Sequence, residues 1–170
     1  MRQAERDAAF SEYVASRQER LRRVAYAMCG SWHQAEDLLQ TAFTKLYVAW
    51  PRLSRAGVED AYVRRIILNA LLDERRRPSS RELPGLPDRD PAAPPGPGVE
   101  VRDELVQALQ QLPPMQRRTV VLRHVADLSV EQVAHELGIS VGTVKSHTSR
   151  GLARLQELLA TPAQNRRQED

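Results

Sequence analysis

Between residues 141 and 155, in VGTVKSHTSRGLARL, stand three cations and no carboxylate. Lys145, Arg150 and Arg154 supply the charge; Thr143, Ser146, His147 and Ser149 interleave hydrogen-bonding groups. Cations neutralise phosphates and reach guanine edges, and hydroxyls bond phosphate oxygens. The chemistry on offer is therefore recognition of a polyanion such as duplex DNA. A solvated basic face on two packed helices has the same composition, so the flanking elements must discriminate.

A second cationic run lies upstream. Arg64, Arg65, Arg75, Arg76 and Arg77 are opposed only by Asp73 and Glu74 between positions 64 and 77. Such a surface attracts phosphates at a strength that falls with salt. Bond-making chemistry leaves no comparable trace. His33, His124, His135 and His147 form no His-Glu-x-x-His pair, and no Gly-rich phosphate loop or Gly-x-Ser-x-Gly elbow occurs. We therefore expect no enzyme, no metal and no cofactor. The single cysteine, Cys29, excludes a disulfide within the chain and reads as a small buried hydrophobe.

The elements that carry these residues read as helices throughout, because sustained period-two alternation and hairpin turn pairs are absent. The 170 residues suffice for one ordinary domain or two small ones. Composition favours two. Seven of the eleven prolines fall between Pro78 and Pro97, in PSSRELPGLPDRDPAAPPGPG. Proline forbids helix interiors, and the segment has few large apolar groups to offset ordering. It reads as a tether reaching roughly 65 Å at ~3.1 Å per residue. The expected organisation is thus 1–77, a flexible linker over 78–99, a second module over 100–160 and a disordered tail over 161–170. The net charge of +3 is mild, so clustering matters more than the total. The start, MRQAERDAAF, has no apolar core of a signal peptide, and no apolar run approaches the ~18 residues of a membrane span. A cytoplasmic protein that does not touch membranes is expected.

In the first module, Leu21, Val24, Ala25 and Met28 recur at helical spacing until Gly30. Ser31 and Gln34 have capping-box spacing. The next helix should run to Pro51 with Ala35, Leu38, Leu39, Ala42, Phe43, Leu46 and Tyr47 inward. A third should turn Tyr62, Ile66, Ala70 and Leu71 inward. In the second module, Ser129 should cap VEQVAHEL. Ala134 lets the next helix cross closely, Gly138 takes positive φ, and Ser140 caps the helix after the turn. Val133, Leu137, Ile139 and Val144 then share a core, and Val144, Thr148, Leu152 and Leu155 form the inner stripe of the last helix. This is a helix-turn-helix, whose second helix enters the major groove.

These stretches resemble a known family. AEDLLQTAFTKLY looks like region two of bacterial RNA polymerase sigma factors, and YVRRIILNALLDERRR like its promoter-melting and minus-ten segment. LVQALQQLPPMQRRTVVLRHVADLSVEQVAHELGISVGTVKSHTSRGLARL looks like region four. Order, tether and length are similar to the extracytoplasmic-function group, and to its small SigE-like actinobacterial members. The resemblance implies an all-α fold of two small domains. It implies that Asp37, Gln40, Thr41 and Thr44 dock the β′ clamp of core RNA polymerase. Tyr62, Arg65, Asn69, Arg75 and Arg76 would hold the melted minus-ten strand, with Asn69 and the loop Leu53–Val58 at a flipped base. Thr143, Lys145, Ser146, His147, Ser149, Arg150 and Arg154 would read the minus-thirty-five duplex, and the second module would also touch the β-flap. Many relatives are held inactive by an anti-sigma factor, which is therefore among the implied partners. Many relatives also carry Trp where Tyr62 stands, so Tyr62 reads equally as a stacking platform or as core. SVGTVKSH alone also resembles the output domain of LuxR-type regulators; a stand-alone regulator using only the second module is the rival reading.

Overall fold

The computed structural model describes residues 2–54, 57–76 and 99–165, with the side chains of 74–76, 99–102 and 161–165 outside that description. Among the described residues every element is a helix: α1 (Gln3–Cys29), α2 (Trp32–Leu53), α3 (Glu59–Arg76), α4 (Val99–Gln110), α5 (Pro114–His124), α6 (Val130–Leu137) and α7 (Val141–Asn165). They form two compact units, one built on α1 up to Ala25 with α2 and α3, the other on α4–α7 together with residues 26–30 at the end of α1. The Pro-rich stretch 78–98 lies outside the described residues, as do residues 55 and 56 of the loop after α2.

The first unit is organised around α2. Ser31 caps it, accepting the Gln34 N–H at 3.2 Å. Ala35, Leu38, Leu39, Ala42, Leu46 and Trp50 are buried. Phe43 and Tyr47 of the expected stripe are only half-buried. Helix α2 also continues through Pro51, three residues past its expected end. A proline this near a terminus removes one backbone bond and leaves the rest. The Ser54 N–H and hydroxyl both donate to the Trp50 carbonyl, at 3.0 and 2.8 Å, and close the last turn.

Helix α3 corrects the expected phase. Val63, Ile67 and Leu68 are its buried residues, whereas Tyr62, Ile66, Ala70 and Leu71 are half-buried. Apolar residues stand side by side at 62–63, 66–68 and 70–72, so spacing alone leaves the helix rotation open by one position, or ~100°.

An aromatic cluster joins α1 to α2. Phe10 meets Tyr47 and Trp50 edge-on, with centroids 5.1 and 5.3 Å apart, and Tyr13 lies 5.3 Å from Trp50. Edge-on pairs set the positive rim of one ring against the negative face of another. The Tyr47 hydroxyl donates to Asp7 at 2.6 Å and accepts from Gln3 at 3.1 Å. The Arg6 guanidinium stacks 4.4 Å from the Tyr47 ring centre. Tyr13 also reaches α3, donating to Asp60 at 2.7 Å, with Arg17 3.8 Å from the same carboxylate.

In the second unit α7 packs on α4, α5 and α6. Leu109, Val120, Val121, Leu122, Val133, Val144 and Leu155 are core residues, and the fully buried Thr119 donates its hydroxyl to the Gln116 carbonyl at 3.0 Å. Pro114 opens α5 at its first turn, where a missing N–H costs nothing. Ser129 and Gln132 close a reciprocal capping box at the start of α6, with bonds of 3.1 and 2.8 Å. Helix α7 extends to Asn165, five residues into the tail expected to be disordered, and 166–170 lie outside the described residues.

Burial pushes the Tyr13 phenol well above its ordinary pKa, and the hydrogen bond to Asp60 adds to the effect. The unfolded chain loses that proton near pH 10 while the folded chain keeps it, so this contribution is complete below pH 10 and declines above. Tyr13→Phe should cost about 1 kcal/mol at neutral pH through the lost hydrogen bond. It should also flatten the fall in stability above pH 10, as read from urea unfolding at pH 7 and pH 10.5.

Candidate nucleic-acid interface

The turn between α6 and α7 fixes the candidate reading helix. Gly138 has φ +65° and ψ +35°, the left-handed conformation that ends a helix. Its N–H and that of Ile139 both donate to the Ala134 carbonyl, the second at 3.1 Å. Ser140 then caps α7, accepting the Thr143 N–H at 3.1 Å, with the two hydroxyl oxygens 2.8 Å apart. Val133 and Val144 are fully buried across this corner, and Leu137 and Ile139 are half-buried.

The inner stripe of α7 differs from expectation at one place. Val144 and Leu155 are buried and Thr148 is half-buried, its hydroxyl donating to the Val144 carbonyl at 2.7 Å. Leu152 is instead exposed, and Gly151 takes the inner position. A Cβ on Gly151 would sit 2.7 Å from a Val120 methyl and 3.4 Å from the Gln116 carbonyl. The absent side chain is therefore what lets α7 seat on α5. The sequence signal was a glycine at a helical inward position, three residues past Thr148.

With that seating, Lys145, Ser146, Ser149, Arg150 and Arg154 are exposed, and Thr143 and His147 are half-buried. Part of the Thr143 hydroxyl's capacity is used at the cap, and His147 Nδ1 is buried with no hydrogen-bond partner among the described residues. Five of the seven expected contacts are thus presented fully. Arg154 is held by Glu157 at 2.9 Å, whereas among the described residues Lys145 and Arg150 form no ion pair. The outward ridge between these cations is Gly142, Ser146, Ser149 and Ala153, all small and exposed.

In the first unit Asp37, Gln40, Thr41 and Thr44 are all exposed along one face of α2. His33 Nε2 lies 3.8 Å from Asp37, and the Thr44 hydroxyl donates to the Gln40 carbonyl at 2.8 Å. On α3, Tyr62, Arg65 and Asn69 recur at i, i+3 and i+7 and so share a face, Tyr62 half-buried and the other two exposed. The side chains of Arg75 and Arg76 lie outside the described residues. Tyr62 is not core: it borders a groove of about 480 Å³ with Thr44, Lys45, Val48, Ala49, Pro51 and Arg52 of α2. Lys45, Val48 and Arg52 were not singled out from sequence. Val48 is 76% exposed, an apolar residue outside the inward stripe, and that mismatch was the available signal.

A helix-turn-helix body preceded by a helical body with a grooved, partly cationic face defines a two-module DNA-directed factor. Residues 13–81 match the family model for sigma-70 region 2, and residues 102–155 the model for sigma-70 region 4. The chain is 39% identical over 153 residues to the RNA polymerase sigma-E factor of Streptomyces coelicolor, covering 88% of this chain and 85% of the relative. It is 35% identical to the extracytoplasmic-function sigma factor SigE of Mycolicibacterium smegmatis, covering 89% of this chain and 62% of the relative. Its fold is similar to that of the sigma factor RpoE solved in complex with the anti-sigma factor NepR from Bartonella quintana. That match has a TM-score of 0.74 at 24% identity and covers 89% of this chain and 97% of the other. The chain belongs to the extracytoplasmic-function sigma factors of the sigma-70 family. As such it directs RNA polymerase to promoters at transcription initiation; the stand-alone LuxR-type reading finds no support, because the first module matches region 2 of the same family.

Replacing Gly151 by alanine should overpack the α5–α7 crossing and cost about 1–3 kcal/mol. Thermal unfolding of Gly151→Ala should show that loss, and the double variant with Val120→Ala should recover most of it by removing the opposing methyl.

Proposed function

We propose that the two modules divide promoter recognition between them. The exposed face Asp37–Gln40–Thr41–Thr44 docks the β′ clamp of core RNA polymerase. The adjoining groove and the Tyr62–Arg65–Asn69 face receive the melted minus-ten strand. Tyr62 supplies a ring for base stacking, and Lys45 and Arg52 stand at the groove to meet phosphates. An amide such as Asn69 both donates and accepts along a base edge. The single observation that supports this reading best is that groove, which sets an aromatic ring and two cations beside the polymerase-docking face.

The second module lays α7 in the major groove of the minus-thirty-five duplex and touches the β-flap. Lys145 and Arg150 are the principal readers, since they are exposed and, among the described residues, outside any ion pair. The small ridge at Gly142, Ser146, Ser149 and Ala153 lets the backbone approach the base edges closely. A 21-residue connection between the modules is long enough, at ~3.1 Å per residue, to reach roughly 65 Å, close to two duplex turns of roughly 70 Å. The chain itself makes and breaks no bond. Polymerase supplies the chemistry, and an anti-sigma factor is a fitting inhibitory partner. Among the described residues no helix is long and apolar enough to cross a membrane, and we place the protein in the cytoplasm.

Run-off transcription with purified core polymerase tests the reading. The chain should stimulate initiation from promoters selected by the reconstituted holoenzyme, and Asp37→Ala should lower its co-purification with core while leaving duplex binding by the second module intact. Absence of stimulation on every template, or full core affinity of Asp37→Ala, would count against it. Lys145→Ala or Arg150→Ala should weaken minus-thirty-five binding by about 1–3 kcal/mol where the contact is to a base, and should flatten the salt slope where it is to phosphate. Fluorescence anisotropy across a salt series separates the two.

A further inference from the structure

The cationic flank of α7 ends in an acid. Arg150, Arg154 and Glu157 lie at i, i+4 and i+7, one side of one helix. Glu157 is the first carboxylate after Glu136, and it holds the Arg154 guanidinium at 2.9 Å with both side chains more than half exposed. Arg154 lies thirteen residues into the helix, about 20 Å from its start at 1.5 Å per residue. A major groove is about 12 Å wide. With the start of α7 entering the groove, Arg154 would stand beyond the base edges, nearer the phosphates, and Glu157 farther along the same flank.

We propose that Glu157 limits the sequence-independent part of duplex binding by competing with phosphate for Arg154. While the pair holds, Arg154 has no net charge to offer and releases no counterion from the duplex. The carboxylate also repels the strand at its closest approach. Lys145 and Arg150, nearer the helix start, are untouched by it. Glu157 therefore weakens binding to any duplex and leaves discrimination between sequences to the base-reading residues. This proposal rests on the second module binding duplex DNA through α7.

The test uses the full chain and two labelled duplexes, one carrying a promoter selected with the reconstituted holoenzyme and one a scrambled sequence. Glu157→Gln should tighten both by the same factor, about twofold to fivefold, the range expected from releasing one exposed ion pair. The plot of log affinity against log salt should steepen by about 0.9, one additional phosphate neutralised. Arg154→Ala should remove most of that gain, so that adding Glu157→Gln to it changes little. Glu157 is not the competitor if Glu157→Gln binds equally or more weakly, if it alters the ratio between the two duplexes, or if it tightens binding just as much on the Arg154→Ala background. Should the wild-type chain, free or bound to core polymerase, fail to bind either duplex in a salt-dependent way, the reading of α7 itself falls, which is a separate result.

Discussion

The second module depends on holding one helix by a single side. Helix α7 is packed along one side, and its opposite face is exposed. The grip comes from two places where a side chain is missing or folded away. At Gly138 the left-handed backbone lets two amides share the Ala134 carbonyl, which fixes the angle between α6 and α7. At Gly151 the empty Cβ position lets α7 close on Val120. The first sets direction, the second depth. The exposed ridge between the cations carries only the small residues Gly, Ser and Ala.

In the first module α2 is covered on one face and exposed on the other. Helix α1 covers it with rings. Phe10 and Tyr13 meet Tyr47 and Trp50, and the polar tips of the two tyrosines are tied to Asp7 and Asp60. A phenol buried with its hydroxyl bonded gains apolar area without stranding a polar group. The clamp of rings leaves residues 37, 40, 41 and 44 exposed on the helix they stabilise.

Much of this is legible in the residues alone. The caps at Ser31, Ser129 and Ser140 and the turn at Gly138 are local events, set by a few adjacent residues, and spacing reports them well. The helical class and the two matched sigma regions follow from periodicity and from the motifs AEDLLQTAFTKLY and SVGTVKSH in order. What escapes is the choice among neighbours. Runs such as YVRRIILNALL supply apolar residues on more than half the helix circumference, so the buried set Val63, Ile67 and Leu68 is chosen by what α2 offers. Leu152 reads as inward because leucine usually is, and Gly151 reads as filler. Only the crossing with α5 reverses them. The ring cluster is invisible in the sequence because Phe10 and Trp50 lie forty residues apart.

Thr44 belongs to two sets at once. It closes the row Asp37–Gln40–Thr41–Thr44 and it lines the groove beside Tyr62. If the row docks polymerase and the groove takes the strand, Thr44 is common to both surfaces. Reciprocity then requires that whatever factor polymerase docking adds to the affinity for an unstacked strand, the strand adds to the affinity for polymerase.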